Sequence, residues 1–245
     1  MSEQPFQKGI RIENVDMSGV RLHGVDLEGA KLTDAFLANA DISGDIEGLL
    51  LNGVEVEPLV RAELERREPE RAMLRATDVT GLRTAWSMVE ERWAEATARA
   101  AALPEERQHE RVDGEWSVVE TLRHLVFATD CWLSRAILLH PHPYHPWGLP
   151  WSGVEAEWAA SVGVDLAAAP SLPEVLLVRA ARQQSVRSTL DQLTDAELSE
   201  RRFAPDTPGH PSGEHSVLHA LHVLLNEEYE HHRYTMRDLE VLESS

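Results

Sequence analysis

The 245-residue chain carries 23 Lys and Arg against 42 Asp and Glu, a formal charge of −19 with neutral histidines. So acidic a chain offers no general excess of cations for phosphate or anionic headgroups, which argues against nucleic acid and an anionic membrane as partners. Its 42% apolar and 27% charged residues are a globular composition, and the single cysteine, Cys131, rules out an internal disulfide and a four-thiolate zinc site.

No stretch of about 18 apolar residues occurs, so no membrane span is expected. The opening MSEQPFQKGIRIENVD has no apolar core of the kind a signal peptide carries, and a lone cysteine suits a reducing compartment. The expected location is the cytoplasm.

The first fifty or so residues repeat with a period of five. Met17, Leu22, Leu27, Leu32, Leu37 and Ile42 recur at that step, each preceded two positions earlier by Val15, Val20, Val25, Ala30, Ala35 or Ala40. Neither a helix nor a flat strand has this period, whereas a solenoid that turns a corner every five residues does. The units GVDLE, GAKLT and NADIS make the segment resemble the pentapeptide-repeat family. That resemblance implies a four-sided, right-handed β-helix with four units per coil. Six units give about one and a half coils, too short to bury a core alone, so DIEGLLLNGVEV is expected to close or dock the segment. Its expected role is a structural cap.

From Glu57 to Arg75 charge rises and Pro69 interrupts any helix, which predicts a short helix and linker with a boundary near residue 70. The remainder reads as four long helices. The first spans about 80–102, with Trp86, Val89, Trp93, Ala96 and Ala100 as one apolar stripe, and Pro104 ends it. The second starts at Glu115 or Ser117, where Ser117 and Glu120 have capping-box spacing, and runs to about Leu139. Its stripe is Val118, Leu122, Leu125, Thr129, Trp132 and Ala136.

The proline- and glycine-rich HPHPYHPWGLPWSG, residues 140–153, is a loop. A third helix spans about 171–193 with Pro173 in its first turn. RRFAPDTPGHPSGEH, residues 201–215, is a second loop, and the last helix covers about 216–243. The fold class is therefore mainly α. A four-helix bundle over 79–245 follows a helical linker over 57–78 and a repeat segment over 1–56.

Chemistry-bearing residues concentrate in the last helix, at NEEYEHHRY. Glu227 and His231 are four apart, as are Glu228 and His232, and either pair projects from one helix face. A carboxylate and an imidazole so placed can share a divalent cation, with a third ligand from a facing helix and positions left open. His124 in the second helix is the candidate third ligand. The helical wheel set by Val217, Leu221, Leu224, Leu239 and Leu242 puts Glu228 near the middle of the buried direction and favours Glu228 with His232. His219 and His222 read as surface or network histidines, and Cys131 as a small buried apolar residue. No phosphate loop, nucleophile elbow or HExxH is present.

GEWSVVETLRHL in the second helix, together with the last-helix cluster, resembles the DinB superfamily over about 80–243. The resemblance implies a DinB-like four-helix bundle related to mycothiol-dependent maleylpyruvate isomerases and bacillithiol-transferase-like proteins. It implies a divalent metal held by His124 and by Glu227 with His231, the alternative register being Glu228 with His232. Glu in place of a third histidine leaves zinc, nickel or manganese open.

The function so implied is a metal-dependent enzyme, a transferase or isomerase using a low-molecular-weight thiol such as mycothiol, or a hydrolase. His140, His142, His145, Tyr144 and Trp147 are placed to line a pocket mouth, and Arg123 or Arg233 to hold the thiol. The expected partner is a small-molecule substrate or thiol, and a homodimer is compatible with such bundles. The competing reading is a non-catalytic scaffold that uses the bundle and the repeats for interactions.

Overall fold

The computed structural model describes residues 12–22 and 24–244; the start of the repeat segment, residues 1–11, lies outside the described residues. The chain divides into two units, Met1–Asp41 and Ile42–Ser245.

In the smaller unit the five-residue period appears as backbone handedness. Asn14, Gly19, Gly24, Gly29, Asp34 and Asn39 all take positive φ. These are the residue types that adopt the left-handed region at least cost. Turn bonds recur every ten residues, from Val20 N to Met17 O, Ala30 N to Leu27 O and Ala40 N to Leu37 O. No strand pairs among the described residues of this unit, so the corners of the expected β-helix form without its ladders. Its apolar residues stay exposed, as expected for too few coils to enclose a core: Leu22, Leu32 and Phe36 face solvent.

The larger unit opens with the hairpin β1 (Leu50–Leu51) and β2 (Val54–Glu55), formed by the tail expected to close the repeats. Its turn is Asn52-Gly53, both at positive φ, the signature of a two-residue hairpin loop. Helix α1 (Glu57–Arg67) and a 3-10 turn, Pro69–Arg75, follow. That turn is seated on the bundle rather than left as a free linker. The Tyr229 hydroxyl donates to Glu68 at 2.7 Å, and the guanidinium groups of Arg71 and Arg92 lie 5.0 and 4.7 Å from the Tyr229 ring centre.

Four long elements make the bundle: α2 (Val79–Ala102), α4 (Val118–Thr129) with its continuation, α6 (Leu172–Gln192) and α7 (Val217–Ser244). The single turns α3 (Glu105–Gln108) and α5 (Ala156–Ser161) lie in the connections. Each long helix packs on two others, α2 on α6 and α7, and α4 on the same two. Caps set the starts. Asp78 accepts from Gly81 N, Ser117 and Glu120 form a reciprocal capping box, and Ser171 and Glu174 form a second with Pro173 in the first turn. The core is aliphatic with Trp86 and Trp93, both on the expected α2 stripe.

Three features depart from the sequence reading. First, the second helix does not run uninterrupted. After Thr129 it becomes a π-helical segment, Asp130–Arg135, with bonds from Ala136 N to Cys131 O and Leu138 N to Leu133 O. Asp130 is fully buried there and accepts from Arg182 Nε at 2.9 Å and His145 N at 2.9 Å. Leu139, at φ 59, ends the element.

Second, residues 201–215 are not purely loop. β3 (Arg201–Phe203) and β4 (Glu214–Ser216) pair antiparallel, with the prolines confined to their connection. Arg135, buried, pins that connection by donating to the carbonyls of Pro205, Thr207 and Pro211.

Third, the core holds an ion pair. Arg179 of α6 grips both carboxylate oxygens of Glu228, one of them at 2.9 Å. The Trp93 indole donates to the Glu228 carbonyl at 3.1 Å. Removing one partner of a buried pair strands the other charge. Arg179→Ala should therefore lose about 3–5 kcal/mol of stability, read from the urea midpoint, while Arg179→Met combined with Glu228→Leu should recover most of it.

Candidate metal centre

His124 is the seventh residue of α4 and is oriented from outside its helix. Its Nδ1 lies 2.9 Å from the Leu149 carbonyl oxygen. The loop that supplies this oxygen is strapped to α4. Leu149 N donates to Arg123 O at 3.1 Å, and the Arg123 guanidinium donates to the carbonyls of Trp147 at 2.9 Å and Asp165 at 3.0 Å. At Gly148 an added Cβ would meet Phe127 Cβ at 3.2 Å, so the close approach of loop to helix suits glycine.

With a carbonyl as its partner, Nδ1 is the protonated nitrogen. Nε2 then faces the Glu227 carboxylate, 3.2 Å from Oε2. From the next turn of α7, His231 Nε2 lies 3.3 Å from the same oxygen. One ligand atom from each of the three residues lies within 4.8 Å of the others, and among the described residues no other group of three or more His, Cys, Asp or Glu does so. The side chains of His124, Glu227 and His231 are 12%, 33% and 21% exposed, so the cluster is walled but reachable.

The donor chemistry fits a cation. Two imidazole nitrogens aimed at one carboxylate oxygen are acceptors facing an acceptor unless a proton or a metal ion lies between them. A ligating histidine characteristically donates its outer N–H to a carbonyl, and His124 does so to Leu149. Burial alone would raise the Glu227 carboxyl. Where the Nε2 atoms of His124 and His231 also carry protons, their hydrogen bonds outweigh it and hold the group well below the usual carboxylate range.

The alternative pair is engaged elsewhere. Glu228 belongs to Arg179 and the core. His232 Nε2 donates to the Arg92 carbonyl at 3.1 Å, and its ring meets Trp93 edge-on at 5.5 Å. The wheel thus identified the buried residue correctly, while the three donor atoms that come together involve the flank residues Glu227 and His231.

The loop side chains do not converge on the cluster. His140 and His142 are exposed. His145 Nδ1 accepts from Trp147 N at 3.1 Å, and the Tyr144 hydroxyl donates to His210 O at 2.8 Å. Arg123 is buried and spent on loop carbonyls, while Arg233 pairs with Glu230 and lies over the Tyr234 ring. His222 donates to Ala76 O, and the His219 ring packs at Trp132. Cys131 is buried, and burial pushes its thiol well above the ordinary value. What sequence reasoning did not assign is the Leu149 carbonyl and the role of Trp116, which lies against both histidine rings. The tryptophan at least had a signal, since it directly precedes the N-cap Ser117.

The helical bundle brings two imidazoles and a carboxylate together from facing helices, a donor set that could hold a metal ion. The chain belongs to the DinB superfamily, whose sequence profile matches residues 88–235, well over half of it. Residues 9–44 match pentapeptide repeats in 8 copies. No curated protein and no solved structure matches the chain. No helix among the described residues is long and apolar enough to cross a membrane.

Burial, and then the charge of Arg92, push the His232 imidazole down to about 4. The unfolded chain binds that proton near pH 6.5, so over this window the unfolded state holds more protons and stability falls as pH drops. The share due to His232 reaches about 3 kcal/mol at the acid end. Urea midpoints taken between about pH 7 and pH 4 should therefore fall less steeply in His232→Gln than in the parent.

Proposed function

We propose that the protein is a divalent-metal-dependent enzyme of the DinB superfamily that activates a low-molecular-weight thiol for transfer or isomerisation, with His124, Glu227 and His231 as metal ligands. The observation that carries this is the convergence of three donor atoms, one of them already oriented by a main-chain carbonyl. A divalent cation held there supplies a Lewis acid that lets a thiol, or water in a hydrolytic variant, ionise at neutral pH.

The chain's own residues do the positioning. Leu149 O fixes the His124 tautomer and leaves Nε2 as the donor. Glu227 is the one anionic donor of the three. Zinc, nickel and manganese all suit a set of two nitrogens and one oxygen, and a thiol such as mycothiol is the cofactor the family resemblance favours.

The rival is a binding scaffold, favoured by the exposed apolar residues that recur along the repeat segment. Elemental analysis of protein purified without a histidine tag separates the two. One divalent ion per chain is expected in the parent and loss of it in His124→Ala and His231→Ala, with the helical circular dichroism retained. Absence of metal in the parent at saturating zinc, nickel and manganese refutes the enzyme reading. Thiol titration should then tighten when the metal is loaded; an unchanged affinity removes the thiol chemistry.

A further inference from the structure

The two histidines of the cluster are held by different means. The outer nitrogen of His124 has the Leu149 carbonyl at 2.9 Å. His231 makes no corresponding hydrogen bond among the described residues; its only polar contact is through Nε2 to Glu227 at 3.3 Å. What orients its ring is packing. Trp116 lies parallel to it, with ring centres 5.9 Å apart at 22°, and Tyr234 meets it edge-on at 6.5 Å. The same indole covers His124 at 4.6 Å, and the two imidazoles are themselves 4.6 Å apart. One indole therefore lies beside both imidazoles.

The placement of Trp116 is itself well determined. It directly precedes Ser117, whose backbone N–H donates to Glu120 Oε2 at 3.0 Å in the capping box, and Arg111 Nε in turn donates to Glu120 at 2.8 Å. An indole this close to two imidazoles limits the rotamers open to them.

We propose that Trp116 is a positioning residue of the metal centre, replacing for His231 the orienting hydrogen bond that His124 donates to Leu149 O. This rests on the metal reading above. The role belongs to an aromatic face rather than to apolar bulk: the indole pre-sets the His231 rotamer, so the ion meets a ligand that need not be ordered on binding.

The test compares Trp116→Phe, which keeps a ring face, with Trp116→Leu, which keeps apolar volume without one. Zinc affinity is measured by competition with a chromophoric chelator, and folding by circular dichroism. Trp116→Leu is expected to weaken zinc binding by about tenfold, and Trp116→Phe to stay within about threefold of the parent. In the cobalt(II)-loaded protein the shifted imidazole resonances of His231 should broaden in Trp116→Leu while those of His124 persist. Parental affinity in a folded Trp116→Leu, or equal weakening in both variants, overturns the proposal. A parent that binds no zinc sinks the metal reading, and this inference with it.

Discussion

The rotation of α7 about its own axis is fixed by one buried ion pair. Glu228 is sunk against Arg179, and the Trp93 indole binds the carbonyl of the same residue. Successive helix residues are about 100° apart, so with Glu228 committed to the core, Glu227 is turned toward α4 and His231 follows one turn later. A shift of one residue would bring Glu228 and His232 to His124 instead. Burying two charges costs desolvation that an apolar pair would not. Here the position of the pair accounts for which carboxylate reaches the cluster.

This also explains what the sequence could and could not convey. Helix starts were legible because caps are local chemistry: Ser117 with Glu120, Ser171 with Glu174 and Pro173. The wheel recognised that Glu228 is buried, but a wheel carries no information on the partner, and Arg179 lies on another helix. The register of the cluster followed from family resemblance instead. The π segment was hidden because Asp130 sits in a run that reads as ordinary helix until Arg182 and the His145 backbone, both distant in sequence, are seen to hold it. The hairpin at 201–216 was hidden by the prolines between its strands.

The histidine-rich loop shows a related limit. Its imidazoles drew notice as side chains, yet its contribution to the cluster is a main-chain oxygen at Leu149, to which no residue type is a guide. Arg123, a candidate for holding a ligand, is consumed in bracing that loop. The orientation of His124 in the cluster thus depends on a support made mostly of backbone.

The left-handed corners of the N-terminal unit bear on how its length can change. Positive φ falls on Asn14, Gly19, Gly24, Gly29, Asp34 and Asn39, while the intervening positions carry branched apolar residues that resist such a backbone. An insertion or deletion of five residues keeps the phase of the winding. A shift that is not a multiple of five takes the Gly, Asn and Asp residues out of these bends and puts residues such as Val20, Glu28 or Lys31 there instead, so this end of the chain grows or shrinks at least cost in whole units.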